Sequence, residues 1–435
     1  MKSKVTVIGA GLAGCEAAYT IANKGIEVEL VEMKPIKRSP AHKSDNFAEL
    51  VCSNSLKASK VDSAAGLLKE EMRKLGSVCL EAADVSSVSA GGALAVDRDI
   101  FSRFITDKIK SHKNIKITNR VVESVPKEGI TVIATGPLTD GKLAENIQKI
   151  CNLESLSFYD AAAPIVTAES IDFNKAFFAS RYSEEKGDYI NCPMNKEEYE
   201  SFYNELINAE CATLHEFDKP FKVYEGCMPV EVLAKRGEDS IRFGPLKPVG
   251  LRDPRTGHRP WAVVQLRKEN NEGTMYNLVG FQTNLKFSEQ KRVFSKITGL
   301  ENAEFVRYGV MHRNTFINSP KLLNDDLSLK EHNNIFFAGQ ISGVEGYMES
   351  AASGIAAGIN VANRILGTDK FVLPKFTMIG ALLGYICDES VTNFQPMGAN
   401  YGILPSLNTH IRDKHERYKA LSQRSLEWFN KEGIV

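Results

Sequence analysis

The sequence predicts an α/β fold in which a dinucleotide-binding domain of the Rossmann type carries a smaller inserted α+β domain. A strand, a glycine-rich turn and a helix follow one another over residues 4–24. A second strand–turn–helix pattern occurs over residues 335–365. Between them, the composition shifts to short strands, aromatic residues and charged turns. We therefore expect one discontinuous domain, residues 1–157 and 328–435, interrupted by an inserted domain over residues 158–327.

The first elements form one βαβ unit. Residues 4–8 are a buried strand, and the helix after it spans residues 11–24 and ends at Gly25. Apolar residues at helical spacing give this helix a face that can pack on a sheet. Residues 26–32 form the second strand.

The turn between the first strand and the helix carries the glycine pattern of dinucleotide sites, Gly9-Ala10-Gly11-Leu12-Ala13-Gly14. Gly9 permits the tight turn, Gly11 lets the backbone approach a pyrophosphate, and Gly14 allows close packing of the helix on the strand. The helix N-terminus offers free N–H groups and a positive dipole end to the phosphates. Glu32, at the end of the second strand, can accept a hydrogen bond from a ribose hydroxyl. We include the adjoining Met33 and Lys34 in this site.

The later elements are predicted from the same periodicities. Helices are predicted over 62–75, 98–110 and 196–209, the last within the inserted region. Short strands are predicted over 115–118 and 130–134. The basic segment from His410 to Arg424 is predicted to be a charged helix.

Two later segments favour FAD over NAD. The turn Ala134-Thr135-Gly136 closes the strand that is expected to cross beneath the dinucleotide. Residues 336–347 resemble the distal FAD motif of the glutathione-reductase-like superfamily, in which a glycine-rich turn places backbone N–H groups beside the flavin. The usual Gly-Asp of that motif is Gly339-Gln340 here, so an amide replaces the acid at the ribityl chain. The predicted contacts in this segment are Gly339, Gln340, Gly343, Val344, Gly346 and Tyr347.

Length and composition restrict the class of protein. A chain of 435 residues is expected to form more than one domain. Lys+Arg and Asp+Glu both count 54, so a nucleic-acid partner would need a local basic face. The sequence contains no apolar run of membrane-spanning length and no CxxC pair, so neither a membrane span nor a metal site is predicted. We expect a cytoplasmic protein with reduced thiols and no obligate protein partner.

Five sequence blocks, taken in order, resemble the folate- and FAD-dependent tRNA (uracil-5-)-methyltransferases: residues 9–18, 50–56, 224–231, 242–251 and 339–350. The resemblance covers nearly the whole chain. It implies methylation of uracil C5 in the T-loop of tRNA, with methylenetetrahydrofolate as carbon donor. It also implies reduced FAD as the reductant, recharged by NADH or NADPH. The related glucose-inhibited-division-protein-A family has longer chains with an added helical domain, and the shorter length here argues against it.

The resemblance implies two functional cysteines, Cys52 and Cys227. Addition of a thiolate to uracil C6 makes C5 nucleophilic, and a base must later remove the C5 proton. Pro229 is a favoured first helical residue, which predicts Cys227 at a helix N-terminus, where the dipole lowers a thiol pKa. The cap-forming residues Ser53-Asn54-Ser55 predict a helix start beside Cys52. We expect Cys227 to attack uracil and Cys52 to serve as the base or as a flavin-side partner, although the reverse assignment stays open.

Residues 235–268 are rich in basic side chains, with Phe243 and Trp261 between them. Basic groups can neutralise phosphates, and aromatic rings can stack on unpaired bases or a pterin. A solvated charged loop is an equally good interpretation. The residues predicted to contact RNA are Lys247, Arg252, Arg255 and Arg259. Arg38, His42 and Lys43 could serve the flavin or folate, but we favour a surface loop.

Other functions remain open at this stage. The same chemistry could act on ribosomal RNA, or the chain could be an NAD(P)H-dependent flavoprotein oxidoreductase. A dithiol reductase would require a close cysteine pair, which the sequence lacks. A non-catalytic flavin-bound RNA-binding protein would tolerate alanine at Cys52 and Cys227.

Overall fold

The computed structural model describes residues 4–39, 41–152, 156–161, 163–182, 187–212, 228–268, 273, 275–309, 311–391, 394, 396–409 and 411–432. The elements up to residue 152 are β1 Val5–Ile8, α1 Leu12–Asn23, β2 Val28–Glu32, β3 Ser55–Ala58, α2 Ala64–Lys74, α3 Val78–Val85, β4 Ser87–Val88, β5 Ala93–Val96, α4 Arg98–Lys110, β6 Ile115–Asn119, β7 Ile130–Ile133 and α5 Gly141–Cys151.

The middle of the chain contains β8 Leu156–Ala161, β9 Ile165–Thr167, β10 Phe177–Ala179, β11 Tyr189–Met194, α6 Lys196–Asn208, α7 Val230–Ala234, α8 Glu238–Arg242, β12 Ala262–Lys268, β13 Met275–Leu278, α9 Phe287–Phe294, β14 Phe305–Arg307 and β15 Met311–Phe316. The last part contains α10 Ser319–Leu322, β16 Ile335–Phe337, α11 Tyr347–Leu366, α12 Met378–Ile386 and α13 Lys414–Glu432.

A parallel five-stranded sheet organises the first and last parts of the chain, in the order β16-β7-β1-β2-β6. Strands β1, β2, β7 and β16 are short and mostly buried, as expected when helices cover both faces, whereas the edge strand β6 is partly exposed. The pairing of Ile335 with Thr131 brings β16 into this sheet from far along the chain. The glycine turn after β1 and the second glycine turn after β16 therefore lie at the same edge, where open α/β sheets bind ligands.

Helices α1 and α11 pack against each other on this sheet through small residues. A Cβ atom at Gly354 would overlap the carbonyl of Ala13, and one at Gly358 would come within 2.9 Å of the Ala17 oxygen. The close approach fixes α11, and with it Tyr347 at its first position, against the glycine turn of α1.

A six-stranded sheet dominates the middle of the chain, in the order β10-β11-β12-β13-β9-β14. Apolar side chains of helices α6, α7 and α9 share one core with residues of this sheet, among them Val166, Ile190 and Val264. The main core around the parallel sheet draws on separate stretches, before residue 152 and after residue 315. Strands β3, β5 and β4 form a third, small sheet beside the parallel one.

The α/β fold class is confirmed, and the predicted elements appear close to their predicted bounds. Helix α4 coincides with its prediction, and β2 begins two residues late at Val28. The charged C-terminal helix begins at Lys414 rather than at His410. Among the described residues, no helix is both long and apolar enough to cross a bilayer.

One prediction about Cys52 is wrong. The residues after it were expected to start a helix, but they lead into strand β3. The reason is that Asn54 is fully buried and donates through its amide nitrogen to the Val96 carbonyl at 3.1 Å, instead of capping a helix. Long-range pairing to β5 thus takes up an amide that would otherwise suit a cap.

Candidate functional site

A cavity of about 410 Å³ lies at the carboxyl edge of the parallel sheet. It is bounded by the ends of β1, β2, β7 and β16 and by the loops that come after them. The residues predicted to contact the cofactor that line it are Gly9, Ala10, Gly11, Leu12, Ala13, Glu32, Met33, Lys34, Ala134, Thr135, Gly136, Gly339, Gln340 and Tyr347. The structure therefore brings the glycine turn after β1 and the glycine turn after β16 into one site.

The three glycines of the first turn have distinct surroundings. Gly9 has φ +98°, and a Cβ atom there would lie 2.6 Å from the Ala134 oxygen. A Cβ atom at Gly14 would overlap the Gly9 carbonyl, so this position allows the helix to approach the strand. At Gly11 an added Cβ would meet no described atom within 4 Å and would project into the open space of the cavity.

Glu32 anchors the glycine turn from the neighbouring strand. Its Oε2 accepts from the backbone N–H of Ala10 at 2.7 Å, and its Oε1 accepts from that of Lys34 at 3.0 Å. Each carboxylate oxygen can accept more than one hydrogen bond, so these contacts leave capacity for a ribose hydroxyl. Gly11 is the N-cap residue of α1 and has no side chain that could bond the first N–H groups of the helix. These groups therefore lie at the edge of the cavity, available to a ligand.

On the opposite wall, Gln340 takes the place of the acid usual in the distal FAD motif. Its amide nitrogen donates to both carboxylate oxygens of Glu345, at 2.8 and 2.9 Å. Because the nitrogen is held by Glu345, the amide carbonyl is the polar group of this side chain that could accept from a ligand in the cavity. An acceptor is therefore retained at this position without a charge on residue 340.

Three predicted contacts of this segment lie outside the cavity lining. A Cβ atom at Gly343 would overlap the ring of Phe394, so Gly343 serves packing. Val344 is fully buried. Gly346 has φ +123° and precedes α11, where a Cβ atom would overlap Glu349. These residues shape the turn, and a glycine pattern alone could not separate that role from ligand contact.

The prediction missed several residues of the cavity wall. Lys37, Glu49 and Arg120 line it from the loops after β2 and β6, and His42 lies in it although a surface loop was favoured. Burial and the nearby Lys34 cation lower the pKa of His42, which keeps the imidazole neutral at pH 7. The sequence feature that could have indicated these residues is their position in loops that follow the carboxyl ends of parallel strands, where such sheets bind ligands.

Cys52 lies behind the cavity wall and is joined to it by Tyr347. Its Sγ atom is 2.9 Å from the Tyr347 hydroxyl oxygen, which also accepts from the Cys52 backbone N–H at 2.9 Å. The N–H of Ser53 donates to the same oxygen at 3.3 Å. Burial raises the pKa of Tyr347 well above its usual value, and the neighbouring Cys52 adds to this, so the phenol keeps its proton. That proton can be donated to the sulfur.

Cys227 lies outside the described residues. The structure resumes just after it, and Pro229 caps the short helix α7 instead of being its first helical residue. The buried carboxylate of Glu231 accepts from the Thr283 hydroxyl and from the Asn284 N–H, both at 2.8 Å. This fixes the short helix α7 to the segment between β13 and α9.

The four predicted RNA contacts divide into two groups. Lys247, Arg252 and Arg259 are exposed, and their side chains form no ion pair with a described residue. Arg255 instead forms an ion pair with Asp253, with Nη2 2.6 Å from Oδ2. This pairing holds the pKa of Asp253 below its usual range. Arg255 also donates to the Asn174 carbonyl at 3.1 Å, so its guanidinium stabilises the turn.

Comparison with known proteins gives consistent matches. Residues 4–369 match the family described as glucose inhibited division protein A, so the shorter chain length does not exclude that family. The chain is 62% identical to the methylenetetrahydrofolate–tRNA-(uracil-5-)-methyltransferase TrmFO of Acetivibrio thermocellus, over 97% of each chain. It is 57% identical to the enzyme of the same name from Desulforamulus reducens, over 99% of this chain and 98% of that one. The solved structure of Aquifex aeolicus GidA superposes with a TM-score of 0.70 at 17% identity, covering 100% of this chain and 74% of that chain, and supports the fold.

Proposed function

The chain belongs to the glucose inhibited division protein A family and groups within it with the methylenetetrahydrofolate–tRNA-(uracil-5-)-methyltransferases, and we propose that it methylates uracil C5 in the T-loop of tRNA. Methylenetetrahydrofolate is the carbon donor in this proposal. The observation that carries it is the contact of Cys52 with Tyr347. This contact places a thiol next to a cavity that is lined by the glycine turn typical of dinucleotide-binding proteins. Neither ribosomal RNA nor a free-standing oxidoreductase is favoured by the relatives.

We propose FAD as the cofactor of the cavity. The residues fit this group: Gly11 leaves room for a pyrophosphate, the N-terminus of α1 supplies N–H donors, and Gln340 supplies an acceptor. When bound and reduced, FAD would supply the two electrons that convert a methylene carbon into a methyl group. We propose NADH or NADPH as the source of these electrons.

In this proposal the chain provides the acid–base and nucleophilic groups. Cys227 adds to uracil C6, which makes C5 nucleophilic toward the folate carbon. Cys52 removes the C5 proton as the bond between the transferred carbon and the tetrahydrofolate nitrogen breaks. Once the resulting methylene has gained a hydride equivalent and become a methyl group, the C6–sulfur bond breaks, Cys227 leaves as a thiolate and the C5–C6 double bond is restored. The Tyr347 hydroxyl holds Cys52 in place and, by donating to its sulfur, favours the thiolate that accepts this proton.

We further propose a division of labour between two domains. Residues 1–157 and 328–435 form the cofactor domain, and residues 158–327 form the RNA-binding domain. The separate hydrophobic cores support this division. Lys247, Arg252 and Arg259 are proposed as phosphate contacts, whereas Arg255 is reassigned to the turn that presents them.

The proposal is tested by methyl transfer to unmodified tRNA and to ribosomal RNA fragments. The reaction contains purified protein, methylenetetrahydrofolate labelled in the methylene carbon, and NADH or NADPH. We expect label in tRNA uracil, none with Cys52→Ala, and retention of FAD absorbance by that variant. No label in tRNA would contradict the methyltransferase assignment, and a colourless protein would contradict the assignment of FAD.

A further inference from the structure

The loop that carries Cys52 is held from two sides. Tyr347 contacts it from the parallel-sheet part of the molecule. From the other side, Arg267 of β12 donates through Nη2 to the Ser53 hydroxyl at 2.6 Å and through Nε to the Asn54 side-chain oxygen at 3.2 Å. The two residues directly after the thiol are therefore bonded to a strand of the six-stranded sheet.

These contacts are buried and specific. Arg267 is 9% exposed and Asn54 is 0% exposed. The amide nitrogen of Asn54 also donates to the backbone carbonyl of Lys268 at 2.5 Å, so β12 contacts Asn54 through a side chain and a main-chain group. A planar guanidinium can serve two acceptors in fixed geometry, which an ammonium group cannot reproduce.

The same edge of the six-stranded sheet makes further contacts with the small sheet that contains β3. Tyr189, which is paired with Arg267 across β11 and β12, donates from its hydroxyl to the Ala90 carbonyl at 3.2 Å. The backbone N–H of Gly91 bonds the side chain of Asp188. Arg267 thus belongs to a continuous row of contacts between the two sheets, and its side chain bonds both residues that follow Cys52.

We propose that Arg267 is a positioning residue for Cys52, through which the inserted domain sets the geometry of the reactive loop. It acts by holding Ser53 and Asn54. Its consequence for turnover rests on the proposed function, but its effect on the loop does not. A shift of the inserted domain would be transmitted to Cys52 through these two hydrogen bonds.

The test compares Arg267→Met and Arg267→Lys with Arg292→Met, a control on α9 whose arginine pairs with Glu289 at the surface. The first measurement is the rate at which iodoacetamide alkylates Cys52 in the FAD-bound protein, monitored by peptide mass spectrometry from pH 6 to 9. We expect Arg267→Met to raise the high-pH plateau rate at least about threefold, because Asn54 loses a charge-assisted donor and the loop opens. Arg267→Lys should restore part of the wild-type rate, and the control should match wild type.

The second measurement separates positioning from RNA binding. For Arg267→Met we expect kcat of methyl transfer to fall at least about tenfold with KM for tRNA within about twofold. A raised KM with unchanged kcat and unchanged alkylation would make Arg267 an RNA contact and overturn the proposal, as would a plateau rate that does not rise. If Arg267→Met fails to fold, Ser53→Ala removes one acceptor only and should raise the alkylation rate in the same direction. Loss of methyl transfer from every protein, including the control, would instead count against the proposed function.

Discussion

Gly11 and Gly14 lie in the same turn, but an added methyl group meets different surroundings at each. At Gly14 it would overlap the Gly9 carbonyl, whereas at Gly11 it would project into the cavity. We expect Gly14→Ala to destabilise the protein by about 1–3 kcal/mol or more, because α1 must move from β1. Gly11→Ala should leave the unfolding midpoint unchanged and weaken FAD binding at least about tenfold, since the methyl group occupies phosphate space.

Urea unfolding and flavin titration of both variants measure these two effects. The paired design means that each variant is the control for the other. Equal loss of stability in both variants would contradict the assignment of Gly11 to the ligand, and full FAD affinity in Gly11→Ala would contradict it as well.

Tyr347→Phe isolates the hydroxyl that contacts Cys52, because the ring that lines the cavity stays. Without the donor the Cys52 thiolate is less stabilised, so the pH midpoint of its alkylation should rise. The measurement is the pH midpoint of Cys52 alkylation, with flavin absorbance as a check on the cavity. An unchanged midpoint would show that the phenol does not stabilise the Cys52 thiolate.

At the scale of helices, Glu71 of α2 joins three elements that are distant in sequence. Its carboxylate accepts from the backbone N–H groups of Met378 and Ile379, at the start of α12, and from the Ser425 hydroxyl on α13. Burial raises its pKa from 4.5 to about 7, against the opposing effect of these hydrogen bonds. Between pH 4.5 and about pH 7, Glu71 therefore keeps its proton in the folded state but has lost it in the unfolded chain.

The pKa of Glu71 gives a definite sign for the effect of pH on stability. Between pH 4.5 and pH 7 the folded state binds more protons than the unfolded state, so the free energy of unfolding falls as pH rises and then levels off. We expect the free energy of unfolding of the wild type, minus that of Glu71→Gln, to fall by about 2 kcal/mol from pH 5 to pH 8. Urea unfolding of both proteins at four pH values tests this, and a difference independent of pH would contradict it.

Local pattern predicted the elements well because helical and strand periodicity depend on near neighbours. The conformation of the segment after Cys52 depends instead on distant partners. Ser-Asn-Ser suits a helix cap and a loop equally. Asn54 is buried here because its side chain bonds Val96, Arg267 and Lys268, all distant in sequence. Likewise, Arg120 enters the cavity because β6 lies beside β2, a sheet order that the sequence pattern does not contain.

At the scale of the whole molecule, the formal net charge is zero, so RNA binding depends on where the basic side chains lie on the surface. The exposed residues Lys247, Arg252 and Arg259 are the proposed phosphate contacts. Each phosphate contact releases condensed counterions, so binding weakens with salt in proportion to the number of contacts. Arg255 should not count in this number, since its guanidinium is paired with Asp253.

We therefore expect the triple variant Lys247→Ala/Arg252→Ala/Arg259→Ala to reduce the slope of log K against log salt for tRNA by about two to three. Arg255→Ala alone should lower the unfolding midpoint and change that slope much less, because it releases a buried carboxylate. A matched control replaces Lys24, Lys113 and Lys116, which are exposed on the cofactor-domain side, and should leave the slope unchanged. Fluorescence anisotropy with labelled tRNA across a salt series measures all three proteins. Equal slope changes in the two triple variants would mean that tRNA responds to overall charge and would exclude a local binding face on the inserted domain.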